Sequence, residues 1–319
     1  MPSLARILLA VLCTAHAAAV PVAARAQAAF PAKPVTLVVS FPPGGAADGI
    51  ARAVATEMGN QLKQPVVVQN TPGASGAIGA AAIARAAPDG YTIGLQGSAP
   101  LTTLPYLQQL NYTRESFDYI CKVFEVPVYL LVPQDSPFKS VKDVVQRAAA
   151  QPDKVSYATI GPGTLPHLAA ADFARAARVQ MLHVPYKGEG RAITDLLGKH
   201  VDLYFGTNAV ATAHNLRRLA VTARTRASES PDTPTFEESG YRVNWLITGG
   251  IVAPKALDAG AGARLRSSCE AALQSASVRE SIERMKMRTA YAPGDAYERA
   301  IAEEARGSLD VLKQAGLVK

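Results

Sequence analysis

From Val35 onward the chain repeats one unit many times: a short apolar run, a loop of small residues, then a stretch with helical spacing. That alternation is the pattern of an α/β protein built on parallel strands. Val35-Thr36-Leu37-Val38-Val39 is rich in β-branched residues and lacks strict alternation, as expected of a central strand buried on both faces. Further strands are expected at 66–68, 92–95, 128–132, 155–157, 182–184, 203–205 and 219–221. Between them, Ile50, Val54 and Met58 share one helical face, as do Val141, Val144, Val145 and Ala148. The same spacing joins Ala192, Ile193, Leu196 and Leu197, and later Leu265, Cys269, Leu273 and Ala276.

Near the middle the pattern restarts, because residues 155–175 repeat the strand, glycine-containing loop and helix first met at 35–58. Two similar sheets are therefore expected. The runs 126–133 and 246–252 have the length and apolarity of strands that cross between them. This places one lobe at 27–125 plus 241–319 and a second at 126–240.

The first 26 residues have the layout of a secretory signal, with Arg6 as the basic part, 7–12 as the apolar part, and small residues ending at Ala24-Arg25-Ala26. Cleavage is expected near Ala26, leaving an exported chain. Thr14, His16 and Pro21 interrupt the apolar run, so it falls short of a spanning helix of about 20 apolar residues. Cys13 follows Leu12 rather than a small residue, which argues against lipidation there. Losing Arg6 and Arg25 from the 33 basic residues leaves 31 against 26 acids, a mild +5. Basic residues are scattered and aromatics are only 6%, so neither a phosphate-tracking stripe nor a stacking platform for nucleic acid is present. In an exported chain Cys121 and Cys269 could pair, or remain two buried thiols; spacing alone does not decide.

Two loops stand out. Phe41-Pro42-Pro43-Gly44-Gly45-Ala46-Ala47-Asp48 lies between the first strand and its helix. Glycines let the backbone approach a ligand, and the unpaired amides of a first helical turn carry partial positive charge that suits a carboxylate. The bland alternative is a strand-to-helix turn with Asp48 near the helix start as a cap. The segment from Thr159 through Gly161, Pro162, Gly163 and Thr164 to His167 is its counterpart, with Thr164 at the N-cap and its hydroxyl either closing the helix or turned to a ligand. A cleft with two such jaws suits a small di- or tricarboxylate.

A dinucleotide fingerprint is absent, since Pro166 stands where the third glycine belongs, and no Walker pattern occurs. Gly73-Ala74-Ser75-Gly76-Ala77 misses the nucleophile elbow at its last position, and the histidines lack HExxH spacing. No catalytic residue, metal or cofactor is expected. An exported hydrolase relying on Ser75 or His167 is the enzymatic alternative. His167 reads as a hydrogen-bonding residue, His183 as packed in its strand, and Lys187 as an anion partner or a rim lysine.

These stretches resemble the Bug family, periplasmic solute receptors of tripartite tricarboxylate transporter type. The likeness rests on Phe41-Pro42-Pro43-Gly44-Gly45 with Asp48, residues 68–79, Ala87-Pro88-Asp89-Gly90-Tyr91-Thr92, Gly163-Thr164 with His167-Leu168, and 183–188 followed by Asp195-Leu196-Leu197-Gly198. The resemblance implies a two-lobed type II periplasmic binding protein, monomeric, closing on a small carboxylated solute. Its partner would be a membrane permease or, alternatively, a sensor kinase. Carried over, the first jaw is Phe41, Gly44, Gly45 and Asp48, with Ser98 and Ala99 after the third strand; the second is Thr159, Gly161, Gly163 and Thr164, with Thr207 and Asn208 on a further loop. Gly206 departs from the family, which often has an acid there, so an amino-acid ligand is disfavoured. Pro162 replaces a commoner polar residue, and residues 209–218 form a shorter stretch than usual.

Overall fold

β1 (Val35–Val39) is interior because both of its faces find apolar partners. Leu37 and Val39 pack with Ile50, Val54 and Met58 of the helix Ala46–Leu62, while Val38 joins Ala80 and Ile83 of the helix Ala77–Ala84 on the other face. Its neighbour β2 (Val66–Asn70) alternates in burial and leaves Val67 52% exposed, as a strand at the sheet edge does. A computed structural model describes residues 30–186 and 188–318. The expected secretory segment and Lys187 lie outside the described residues.

The first sheet contains β1 and β2 with β3 (Thr92–Gly97), β4 (Phe117–Pro127), β10 (Leu246–Pro254) and β11 (Arg288–Pro293), in the order β11-β4-β10-β3-β1-β2. The second contains β5 (Tyr129–Val132), β6 (Ser156–Thr159), β7 (Leu182–Pro185), β8 (Leu203–Gly206) and β9 (Arg217–Val221), in the order β7-β6-β8-β5-β9. β1 runs parallel to β2 and β3, and β6 parallel to β7 and β8, so the expected restart is a repeated topology. In each sheet an antiparallel strand, β10 or β5, lies beyond this parallel trio. The chain leaves the first sheet at Pro127, enters the second at Tyr129 and returns through Leu246.

Several details depart from the expected pattern. Leu197 is 48% exposed, at the end of the helix Glu189–Leu197, whereas Ala192, Ile193 and Leu196 are buried. Ala276 opens a separate helix, Ala276–Arg284, after Ser275. The C-terminal helix Gly294–Gln314 packs Tyr297 and Ile301 beside the first sheet but Val311 and Leu312 in the core of the second. Cys121 on β4 and Cys269 on the helix Ala259–Gln274 form a buried disulfide, which resolves the open choice between bridge and thiols. Among the described residues no helix is long and apolar enough to cross a membrane.

Candidate functional site

Parallel strands in an open α/β sheet deliver their following loops to one end, where the next helices begin. The first loop is held by Asp48, whose buried carboxylate accepts from the Gly44 amide at 2.9 Å, Arg52 Nε at 3.0 Å and Asn70 Nδ2 at 2.9 Å. Asn70 Nδ2 also donates to the Phe41 carbonyl at 3.1 Å, closing a ring of bonds around the turn. The bond from the Arg52 guanidinium is the chief reason the Asp48 carboxyl is held down to about 2. Asp48 thus folds the loop, with its charge already neutralised by a side chain one turn later. The first backbone return in this helix is Gly49 to the Gly45 carbonyl, at 3.0 Å, so the amides of Ala46, Ala47 and Asp48 have no acceptor one turn behind. Gly44 and Gly45 are exposed and Phe41 is half-buried beside them.

Ser98 and Ala99 follow β3 at the same end of the sheet. Ser98 is 1% exposed, its amide donates to the Thr248 carbonyl at 2.9 Å, and its hydroxyl faces the Glu304 carboxylate without a well-formed hydrogen bond among the described residues. Glu304 arrives from the C-terminal helix and accepts from Thr102 Oγ1 at 2.9 Å; burial pushes its carboxyl up to about 7. Sequence reasoning missed Glu304, because 202 residues separate it from Thr102 and nothing local marks it. Arg52 carried a local signal, the acid-to-base spacing of four on a helix.

In the second loop the sequence expectation for Thr164 is corrected. Its backbone occupies the N-cap, yet its hydroxyl neither caps the helix nor turns free: it donates to the Gly161 carbonyl at 2.8 Å. Thr159 Oγ1 bonds His183 Nε2 at 2.8 Å, and the Gly163 amide donates to His167 Nδ1 at 3.0 Å. The first helical return is Leu168 to Thr164, at 3.0 Å, so the amides of Leu165 and His167 are the ones left open; Pro166 has none. His183 is thus more than a packed strand residue.

Thr207 and Asn208 follow β8. Arg218 Nε donates to Asn208 Oδ1 at 2.7 Å, and because a guanidinium only donates, this fixes the amide oxygen toward Arg218 and leaves Nδ2 as the remaining donor of this buried side chain. Thr207 is half-buried and makes no capping bond with its side chain. A side chain at Gly206 would run into the Tyr204 ring. The two loop sets approach each other: Leu107, shortly after Ala99, packs against the second core and occupies the space a Cβ on Gly163 would need.

What these groups offer is mostly hydrogen-bond donors, and among the described site residues Arg52 and Arg218 are both engaged with side-chain acceptors. Such a set favours a carboxylate through backbone dipoles rather than a point charge. A cavity of about 460 Å³ beside Ala74, Ile78, Gln108 and Tyr112 contains none of them. Among the described residues no group of three or more His, Cys, Asp or Glu is arranged to hold a metal ion.

The family described as "Tripartite tricarboxylate transporter family receptor" matches residues 50–317. A Cupriavidus necator protein of the UPF0065 group is 33% identical over 306 residues, covering 95% of this chain and 93% of its own. Protein BugT of Bordetella pertussis is 33% identical over 298 residues, covering 90% of each chain. Among solved structures, the periplasmic binding protein BugD is 32% identical with a TM-score of 0.74, over 91% of this chain and 100% of its own. MatC from Rhodopseudomonas palustris, with bound malate, is 26% identical with a TM-score of 0.72, over 89% of this chain and 100% of its own. A second R. palustris protein, with adipate, is 26% identical with a TM-score of 0.77, over 91% and 99%. With this coverage and the two-sheet α/β fold, the chain belongs to the tripartite tricarboxylate transporter receptor family, the Bug-type periplasmic solute-binding proteins.

Proposed function

We propose that this chain captures a small carboxylate, a di- or tricarboxylate or an aromatic acid, between its two sheets and presents it to a membrane permease of tripartite tricarboxylate type. The observation that carries this reading is the pair of glycine loops, each leading into a helix whose first-turn amides lack acceptors. One carboxylate meets the amides of Ala46 and Ala47, with Phe41, Gly44 and Gly45 shaping the approach and Ser98 and Ala99 flanking it. The other meets the amide of Leu165 and the side chain of Asn208, with Thr159, Gly161, Gly163, Thr164 and Thr207 forming the wall. Malate in one similar structure and adipate in another support a dicarboxylate.

In this reading the lobes are 27–125 with 241–319, and 126–240, except that Val243, Trp245, Val311 and Leu312 pack in the core of the second sheet, and the lobes move about the strands that cross between the sheets. The mature protein is a periplasmic monomer cleaved near Ala26, and it works as a receptor without turnover. Mass spectrometry of small molecules released from purified protein, followed by calorimetry with adipate and malate, tests the proposal. A dicarboxylate bound with micromolar or better affinity is the expected result. Recovery of a nucleotide or a neutral sugar overturns the ligand class, and co-purification with a sensor kinase in place of a permease overturns the partner.

A further inference from the structure

The second glycine loop is backed by two stacked imidazoles. His167 and His183 lie face to face with ring centroids 4.0 Å apart and planes 10° from parallel, and Tyr157 continues the stack over His183 at 4.9 Å. Each imidazole holds one position of the jaw: His167 Nδ1 receives the Gly163 amide at 3.0 Å, and His183 Nε2 bonds the Thr159 hydroxyl at 2.8 Å. The direction of the first bond is fixed, because a backbone N–H can only donate. His167 therefore accepts at Nδ1, and in the neutral ring its proton sits on Nε2. Burial lowers both imidazoles to about 4, which keeps them neutral near pH 7.

The bond also sets what the jaw shows to a ligand. Gly163 has φ +72°, a left-handed conformation that glycine adopts freely, and its amide is turned inward to His167. The donors left without a helical acceptor are then those of the following turn, Leu165 and His167.

We infer that His167 and His183 are positioning residues: by holding the Gly163 amide and the Thr159 hydroxyl from behind, they aim the start of the helix Leu165–Ala177 at the ligand. This rests on the carboxylate reading of the cleft, so the experiment has one arm that needs no ligand. In ¹⁵N-labelled protein, the Gly163 amide exchanges slowly with solvent and the His167 Nδ1 resonance is that of an unprotonated acceptor nitrogen. His167→Asn, whose Oδ1 can take the place of Nδ1, keeps Gly163 protected; His167→Phe, which keeps the stack but has no acceptor, loses the protection. In the second arm, calorimetry with adipate shows a tenfold or greater loss for His167→Phe and less than threefold for His167→Asn.

Fast Gly163 exchange in the wild type overturns the inference, as does unchanged adipate affinity in His167→Phe. Absence of adipate binding in the wild type counts against the cleft reading for that acid, while the exchange arm still decides the role of His167. His183→Phe with intact His167 removes the acceptor or donor that the Thr159 hydroxyl meets, and calorimetry with adipate is expected to show a loss of affinity there too; unchanged affinity overturns the role of His183.

Discussion

The hydroxyl of Thr102 donates a 2.9 Å hydrogen bond to the carboxylate of Glu304, tying the segment after β3 to the C-terminal helix across 202 residues of chain. Thr248 on β10 stands at 3.5 Å from the other carboxylate oxygen, so Glu304 sits where the segment after β3, the returning strand and the last helix meet. Burial raises its pKa from 4.5 to about 7. Its contribution to stability is therefore fully present below about 4.5 and is lost as pH rises through about 7, because the unfolded carboxyl ionises first. Melting curves of wild type and Glu304→Gln at pH 5 and pH 8 test this. The variant is expected to gain on the wild type as pH increases; a gap independent of pH would refute the assignment.

The paired histidines titrate in the opposite sense. Both pKa values are depressed from 6.5 to about 4, so their contribution is present above about 6.5 and is lost as pH falls through about 4. Denaturant midpoints measured between pH 7 and pH 4 should fall, and should fall less in His167→Asn, which has no imidazole to protonate at that position.

Asp48 fixes the first loop, and removing its charge leaves Arg52 and the Gly44 amide poorly matched. Asp48→Asn is expected to cost about 1.5–3 kcal/mol, as for bonds to charged groups, measured by urea unfolding at pH 7. The wild-type advantage is lost as pH falls from about 3.8 through about 2. An unchanged midpoint at pH 7 would show that the loop is held by other bonds.

The two glycine loops differ in how they answer substitution. Gly45 has φ −80°, and a Cβ there meets only the Pro42 carbonyl at 3.7 Å, so Gly45→Val should fold normally and lose affinity for adipate through occlusion. Gly163→Ala forces a side chain into a left-handed conformation, at about 1–2 kcal/mol, and into Leu107 as well. Thr164→Ala loses the bond to the Gly161 carbonyl and should cost about 0.5–1.5 kcal/mol. Calorimetry and melting on the three variants separate the effects; wild-type affinity in Gly45→Val would reduce the first loop to a structural turn.

Reducing the Cys121–Cys269 bridge opens a loop of 148 residues in sequence separation. Chain entropy in the unfolded state gives such a bridge a ceiling of about 5 kcal/mol. Urea unfolding with and without reductant should show a large downward shift in midpoint, and paired Cys→Ala replacements should reproduce it.

The strands were readable because the signal is local. β1, β3, β6 and β8 each follow from a short apolar run, and the repetition of strand, loop and helix anticipated two similar sheets, which share a parallel trio but have six and five strands. β11 escaped notice because Arg288-Thr289-Ala290-Tyr291-Ala292-Pro293 is an edge strand with no continuous apolar run. The glycine loops were also visible, since Gly44, Gly45, Gly161 and Gly163 mark the helix entries by composition alone.

What the sequence determined, then, is what neighbours within a turn or two set: most of the strands, with β11 the exception, and the glycine-marked helix starts. Partners distant in sequence were decided only by the tertiary fold. The stacking of His167 on His183, the meeting of Glu304 with Thr102, the approach of Leu107 to Gly163 and the pairing of Cys121 with Cys269 all depend on how separate strand-loop-helix units pack. Hydrogen bonds and stacking act over a few ångströms of space, and the linear chain carries no record of which distant residues will come that close.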